Sequence, residues 1–180
     1  MRLYRVFPWN PSAAVDTPGG ALFIPSSKTG RWDNPELCGG LYCAASPEGA
    51  VGERFAQQAV WRPRLFQNPV VTHALATFES QSLTLADFGH VPTLSKLGVT
   101  RVIDVVTRDR AVTQPLAARA YRLGGLHGLS WWSSYVADWT NILIWDTTLL
   151  ALVGEPEPLS VAHPAVVRAA DTLPRSVILR

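Results

Sequence analysis

Residues 28–53 read KTGRWDNPELCGGLYCAASPEGAVGE, and they predict a turn, a short strand and the start of a helix, in that order. Arg31 and Trp32 lie in the turn-rich part. Tyr42 lies in a short apolar run that is typical of a strand, and Glu53 lies in the segment that follows. One short stretch thus presents a guanidinium, a phenol and a carboxylate, and that order calls for a chemical explanation.

The helix after the strand has clear start signals. Ser46 is a candidate N-cap, Pro47 suits the first helical position, and Glu48 suits the positive end of the helix dipole. We expect this helix to run to about Gln58, well before the next proline.

The spacing of apolar residues in this helix predicts which face is buried. Val51, Phe55 and Ala59 recur at i, i+4 and i+8 and should face the core, whereas Glu53 points roughly the opposite way. Small residues surround Glu53 on its face: Gly49, Gly52 and Ala56. Because small neighbours allow close approach, another element or a ligand could lie against the carboxylate.

The rest of the chain predicts short strands and few helices. Strands are expected at residues 3–7, 40–45, 69–79, 82–88, 101–106, 140–146 and 176–180. Helices are expected at 112–124, capped by Thr113, and near 163–173, with irregular segments at 8–30 and 125–134. Without a regular βαβ rhythm, this order predicts an α+β fold, a compact mixed domain that spans residues 1–180.

Charge and hydropathy exclude several classes of function. The 16 basic and 14 acidic residues leave a net charge of +2, without the concentrated basic face that direct nucleic-acid binding needs. The cluster Arg108–Asp109–Arg110 is read as a solvated turn. No apolar run is long enough for a signal peptide or a membrane span, so we expect a cytoplasmic protein without membrane contact.

Cysteine, histidine and the common motifs point to no metal or nucleotide site of a familiar type. Cys38 and Cys43 have the wrong spacing for a zinc knuckle, and Cys43 is expected to be a buried free thiol. The four histidines are scattered, and no GxxxxGK, GxGxxG, HExxH or CxxC motif is present. We therefore expect no metal and no bound cofactor.

Each remaining polar candidate has an ordinary explanation when taken alone. Arg5 lies in an apolar strand and needs a partner, a bound anion, or an edge position that faces water. Arg31 could stack on Trp32, Tyr42 could be a core residue, and Glu53 could be an exposed helix residue. Their combination is what suggests a site.

That combination resembles the signature of the RES domain family. The family pattern is a Gly-Arg-Trp turn, a Tyr-x-Ala strand and a helix with a glutamate eleven residues after the tyrosine. Matching residues here are Gly30, Arg31, Trp32, Tyr42, Ala44 and Glu53. The opening LYRVF resembles the first strand of the family, with Arg5 at its arginine, and residues 127–146 resemble the segment that carries its serine and asparagine, Ser133 and Asn141.

The match has departures. Asp33 stands where the family usually has asparagine, and Trp131-Trp132 replaces its Tyr-Pro. Ser134 lies next to Ser133, so the sequence leaves open which serine acts. The Pro-rich segment at 8–30 has no counterpart that we can assign.

The resemblance implies a toxin of a bacterial toxin–antitoxin pair, with a fold similar to the ADP-ribosyltransferase toxins. Such toxins consume NAD+ by phosphorolysis to nicotinamide and ADP-ribose 1″-phosphate, by hydrolysis, or by ADP-ribosylation of a protein. The partner is an Xre-like antitoxin that plugs the active site, and inorganic phosphate is the expected co-substrate. Homodimerisation would be compatible with the sequence, although no residue argues for it.

The resemblance also assigns roles. Glu53, Arg31 and Ser133 are the expected catalytic residues, and the expected substrate-binding residues are Arg5, Tyr42, Asn141 and Trp32. A carboxylate suits the positive charge that develops on the ribose when the nicotinamide bond breaks. Arginine suits the pyrophosphate and an incoming phosphate, and a phenol suits the flat nicotinamide ring. The alternative from another class is a catalytically silent protein that uses some of its seven tryptophans to bind a partner.

Overall fold

The computed structural model describes residues 1–178. Its strands are β1 (Arg2–Trp9), β2 (Leu41–Ala44), β3 (Val60–Trp61), β4 (Thr72–Ser80), β5 (Leu85–Asp87), β6 (Gly128–Trp132), β7 (Thr140–Ile144), β8 (Leu150–Leu152), β9 (Glu157–Pro158) and β10 (Ser176–Val177). Its helices are α1 (Pro47–Phe55), α2 (Pro63–Phe66), α3 (Val91–Lys96), α4 (Ile103–Val106), α5 (Arg110–Arg122) and α6 (Pro164–Thr172). The α+β fold class expected from the sequence is confirmed.

One mostly antiparallel sheet organises the chain. Its strand order is β5-β6-β7-β2-β1-β4-β8, and β9 also pairs with β4. The longest pairing is β1 with β4, which is registered from Arg2–Glu79 to Trp9–Thr72. By contrast, β1 and β2 are registered at a single pair, Tyr4–Ala44. The short strand β2 therefore lies between the two long halves of the sheet and brings its side chains to the centre.

Side-chain alternation divides the centre of the sheet into two faces. Leu41 and Cys43 of β2 pack with Leu3 and Phe7 of β1 on one face. Ala44 packs on the other face, in the core beneath α1 and α6. The register places Asn141 of β7 opposite Ala44. Tyr42, Ala44 and Asn141 thus share the face that carries α1.

The start of α1 follows the local signals in the sequence. The Gly49 amide donates to the Ser46 hydroxyl at 3.0 Å, and Pro47 begins the helix. The end of the helix differs from the expectation. It stops at Phe55, so the predicted extension to Gln58 is wrong, and Ala59 is exposed instead of facing the core. After Phe55 the chain turns to form β3.

The small residues near Glu53 accommodate a protein side chain. The ring of Trp139 is buried against Gly52, and a Cβ atom on that glycine would lie 2.0 Å from its Cζ3 atom. The close approach that the sequence predicted is therefore that of another element, and Trp139 explains why a helix keeps a glycine at this position.

We expect Gly52→Ala to lower the free energy of unfolding by about 1–3 kcal/mol, because the added methyl group overpacks the contact with Trp139. Urea denaturation would measure the change. The direction of the change in the free energy of unfolding is diagnostic. Without the contact to Trp139, alanine would be expected to stabilise the helix relative to glycine by about 1 kcal/mol. A more stable Gly52→Ala variant would contradict the packing described for Trp139.

Three local expectations are wrong because tertiary packing overrides propensity. Residues 101–106 form α4 instead of a strand; Val105 is buried while Val102 and Ile103 are exposed. The segment 125–134, expected to be a turn region, contains strand β6, which lies between β5 and β7. Asp109, rather than Thr113, caps α5, accepting a hydrogen bond from the Ala111 amide at 2.9 Å.

Both cysteines are free thiols and Cys43 is buried, as predicted. Burial raises the pKa of the Cys43 thiol to about 12, so it stays protonated at neutral pH. Among residues 1–178, no helix is both long and apolar enough to cross a membrane.

Candidate active site

Glu53 is held from one side only. Its Oε1 atom accepts hydrogen bonds from the hydroxyl of Ser133 and from Nδ2 of Asn141, the latter at 2.9 Å. Ser133 and Asn141 are only 3% and 4% exposed, whereas Glu53 is an exposed residue of α1. Within the described residues, its Oε2 atom accepts no hydrogen bond. The carboxylate is therefore fixed through one oxygen and presents the other to solvent.

Ser133 is itself oriented by backbone groups. Its amide donates to the carbonyl of Trp139 at 2.7 Å, and its hydroxyl accepts from the amide of Tyr135 at 3.0 Å. With that acceptor position occupied, the hydroxyl proton is directed to Glu53. The neighbouring Ser134 is exposed and borders the cleft. The structure thus separates the two serines: Ser133 orients the glutamate, and Ser134 faces the solvent side.

Tyr42 connects β2 to the Gly-Arg-Trp turn. Its hydroxyl accepts from the Trp32 amide at 2.9 Å and donates to Oδ1 of Asp33 at 2.8 Å. Burial, with a further contribution from Asp33, raises the pKa of this phenol, which keeps it protonated. A Cβ atom on Gly30 would lie 2.6 Å from the Tyr42 hydroxyl, so only glycine fits that position of the turn.

We expect Tyr42→Phe to lower the free energy of unfolding by about 1–3 kcal/mol, because the Trp32 amide and the Asp33 carboxylate lose their partner. Tyr121→Phe is a matched control, since the Tyr121 hydroxyl makes no hydrogen bond within the described residues. Its effect should stay within about 0.5 kcal/mol. Equal urea midpoints for the two variants would contradict the role assigned to the Tyr42 hydroxyl.

Arg31 extends from the turn into the same region as Glu53. Its guanidinium lies 4.8 Å from the ring centre of Trp32, and one amino group donates to the carbonyl of Val105. Burial lowers the pKa of Arg31, and the nearby charge of Glu53 opposes that shift. The structure therefore brings together the guanidinium, the phenol and the carboxylate that the sequence presents in order.

Trp32 does not reach the cleft surface, contrary to its predicted place among the substrate-binding residues. It is 1% exposed, and its ring packs edge-on against Phe88 and Trp131, with ring centres 5.1 and 5.5 Å away. The indole in this position packs beneath the guanidinium of Arg31.

Arg5, also predicted to bind the substrate, makes two hydrogen bonds to the irregular segment after β1. It donates to the carbonyls of Ala21 and Phe23 at 2.6 and 2.8 Å, and by alternation it belongs to the face of Leu3 and Phe7. Burial lowers its pKa to about 10, so it remains charged at neutral pH. Arg5 borders the cleft, but its two hydrogen bonds mainly anchor the irregular segment that follows β1.

The cleft around Glu53 has two lobes that share lining residues. A larger lobe of about 500 Å³ is lined by Glu53 and four arginines: Arg31, Arg54, Arg108 and Arg110. A smaller lobe of about 240 Å³ is lined largely by apolar and aromatic side chains and by Asn141. Both lobes share Tyr42, Glu53, Arg54 and Trp131. The cleft thus has a cationic end, an apolar end and one carboxylate where they meet.

Sequence reasoning missed three of these arginines. Arg108 and Arg110, which were read as a solvated turn, lie in the cleft wall, and Arg108 donates to the Tyr135 hydroxyl at 2.6 Å. Arg54 follows Glu53 directly and was not singled out. For Arg54 the available signal was its position next to Glu53, whereas Arg108 and Arg110 are far in sequence from every chosen residue, and the overall net charge of +2 conceals the local excess.

Comparison with known proteins gives one family and one fold. The family model described as RES domain matches residues 2–168. A chain of the crystal structure of the M. tuberculosis MbcT–MbcA toxin–antitoxin complex is similar in fold, with a TM-score of 0.61 and 15% sequence identity, over 96% of this chain and 88% of that chain. No curated protein sequence matches this chain.

Proposed function

This chain belongs to the RES domain family, and from that premise we propose that it is the NAD+-degrading toxin of a bacterial toxin–antitoxin pair. The reaction we propose is phosphorolysis of the bond between nicotinamide and ribose. The observation that carries this proposal is Glu53, held through one oxygen by Ser133 and Asn141 at the junction of an apolar and an arginine-lined lobe.

The held carboxylate suits the charge that develops in this reaction. Breaking the nicotinamide bond leaves an oxocarbenium-like ribose, with positive charge on C1 and the ring oxygen. Glu53 offers a free oxygen to that charge, and because Ser133 and Asn141 fix the other oxygen, little reorganisation is needed. Ser133 acts here by orienting Glu53.

The two lobes suit the two ends of NAD+. Tyr42 and Trp131 border the smaller lobe, where flat aromatic surfaces can receive the nicotinamide ring. In the larger lobe, Arg31, Arg108 and Arg110 provide planar guanidinium groups for the pyrophosphate oxygens. Trp32 packs beneath Arg31 in this wall, and Arg5 borders the smaller lobe.

The proposed step balances without a redox partner. The C1–N bond breaks, its electron pair stays on nicotinamide, and nicotinamide leaves as a neutral molecule. A phosphate oxygen forms the new bond to C1, which gives ADP-ribose 1″-phosphate, and hydrogen phosphate releases one proton to solvent. Because the leaving group is already cationic in NAD+, the proposal requires neither a metal nor a bound cofactor.

Two other acceptors would use the same site. Water in place of phosphate would make the chain an NAD+ glycohydrolase, and a protein side chain would make it an ADP-ribosyltransferase. We favour phosphate because four arginines border the larger lobe, more than the pyrophosphate of NAD+ alone needs. A catalytically silent protein is the remaining alternative.

The partner follows from the family and from the site. We propose an antitoxin of the Xre-like type that covers this cleft, and the M. tuberculosis relative in fold was solved as a toxin–antitoxin complex. We place the chain, acting as a single RES domain over residues 1–180, in the cytoplasm, where NAD+ and phosphate are both available. The cleft lies within one chain, so the proposal does not depend on a homodimer.

The test is incubation of the purified chain with NAD+, with and without inorganic phosphate, and separation of the products by chromatography and mass. Nicotinamide release that rises with phosphate, together with ADP-ribose 1″-phosphate, is the expected result. Release of free ADP-ribose at a rate independent of phosphate would replace phosphorolysis by hydrolysis. Binding of NAD+ without any release would favour the silent alternative.

A further inference from the structure

Among the described residues, Arg54 is the one cation that borders both lobes of the cleft. The residues common to the two lobes are Tyr42, Glu53, Arg54 and Trp131. Under the proposed function, the scissile bond lies at this junction, because nicotinamide occupies one lobe and the pyrophosphate the other. Arg54 and Glu53 both line each lobe, so a group bound to the Arg54 guanidinium lies in the same part of the cleft as the carboxylate that faces C1.

A buried histidine orients this arginine. An amino group of Arg54 lies 3.1 Å from Nε2 of His73, a residue of β4 that is 5% exposed. The His73 ring packs edge-on against Phe55, with ring centres 5.2 Å apart. Burial, and then the charge of Arg54, lowers the pKa of His73, so its neutral ring accepts the hydrogen bond. A rigid core residue thus fixes a side chain that extends into the cleft.

The charges around the cleft leave room for a second anion. Within residues 1–178, none of the four cleft arginines has a guanidinium nitrogen close enough to a carboxylate oxygen to form an ion pair. The four arginines and Glu53 that line the larger lobe sum to a charge of +3, and Arg5 adds a further positive charge at the smaller lobe. The pyrophosphate and pyridinium of NAD+ together contribute −1, so the cleft can also take a phosphate of about −2 without an excess of negative charge.

We propose that Arg54, held in place by His73, binds the inorganic phosphate that attacks C1 of the ribose. The inference rests on the proposed function and deepens it, because it separates the acceptor site from the pyrophosphate site. Arg31 is left for the pyrophosphate, since one of its amino groups is already bound to Val105. His73 is a positioning residue, and Arg54 contacts the co-substrate.

The first test is a calorimetric titration of the purified chain with inorganic phosphate alone. Arg54→Met should weaken phosphate binding by about tenfold or more, since a charge-assisted hydrogen-bonded partner is lost. Arg64→Met is the matched control, because Arg64 is an exposed arginine of α2 outside the cleft. The control should keep the affinity of the wild type. Equal affinities for Arg54→Met and wild type would overturn the inference.

The second test separates the two possible anions by steady-state kinetics. Arg54→Met should raise KM for phosphate by about tenfold and change KM for NAD+ by less than about twofold. A rise in KM for NAD+ that equals or exceeds the rise for phosphate would overturn the assignment, because Arg54 would then hold the pyrophosphate.

The role of His73 is tested by rescue. His73→Leu removes the acceptor and should raise KM for phosphate by roughly two- to tenfold, because Arg54 loses its fixed orientation. His73→Gln supplies an amide oxygen and should restore KM to within about twofold of the wild type. Both variants should melt cooperatively. If His73→Gln then has a KM for phosphate no lower than that of His73→Leu, the positioning role is overturned.

The two proposals can fail independently. A wild type that releases no nicotinamide would overturn the proposed function, and the titration with phosphate alone would still decide whether Arg54 and His73 form an anion site. A wild type that cleaves NAD+ while Arg54→Met matches it in KM and in phosphate affinity would overturn only the inference.

Discussion

Glu53→Gln should lower the rate of nicotinamide release by about 10²- to 10³-fold, the size of effect seen when one preorganised electrostatic contact to a transition state is lost. Glutamine has nearly the same shape and can keep one oxygen against Ser133 and Asn141. What it loses is the negative charge beside the developing oxocarbenium ion. The measurement is kcat for nicotinamide release at saturating NAD+ and phosphate.

Binding and folding should be nearly unchanged in this variant, since Glu53 is exposed and the positive charge of NAD+ lies on the pyridinium ring until the bond to C1 breaks. Glu155→Gln is a suitable control, because Glu155 is an exposed glutamate remote from the cleft lining. The control should retain full activity. If Glu53→Gln kept activity within about threefold of the wild type, Glu53 would not be the group that stabilises the cation.

Arg31→Lys should raise KM for NAD+ by about 10- to 100-fold, even though the charge is conserved. The guanidinium of Arg31 has separate amino groups, so it can donate to the Val105 carbonyl and to a phosphate at the same time. A lysine ammonium is a single point of contact and cannot occupy both places. It also loses the flat surface that lies over Trp32.

The effect can be measured without turnover as the equilibrium affinity for NAD+ of a chain that carries both Arg31→Lys and Glu53→Gln. Arg64→Lys, made in the same background, controls for the general effect of the replacement. An Arg31→Lys variant that bound NAD+ as tightly as its control would show that the bidentate geometry of Arg31 is not used. The phosphate affinity measured alongside would show whether Arg54 still acts separately.

The sequence predicted those parts of the site that depend on local order. The N-cap at Ser46 and the proline after it determine where α1 begins, and hence that Glu53 lies on its exposed face. The alternation of β2 determines that Tyr42 and Cys43 face opposite ways. Those features need only a few neighbouring residues, and the structure has both as expected.

The parts that were missed depend on contacts between distant segments. The hydrogen bond between Arg54 and His73 joins residues 19 apart, and the one between Arg108 and Tyr135 joins residues 27 apart. No local pattern encodes such pairings. The same applies to Arg5, whose carbonyl partners belong to a segment without regular structure.

The held carboxylate also has a consequence for synthesis of the chain. Ser133 and Asn141 follow Glu53 by 80 and 88 residues, so both donors are made long after the helix that carries the glutamate. A nascent or prematurely terminated chain that ends before residue 133 contains Glu53 but neither group that fixes it. Unfinished translation products therefore lack the assembled site, and its geometry first exists once most of the chain has left the ribosome.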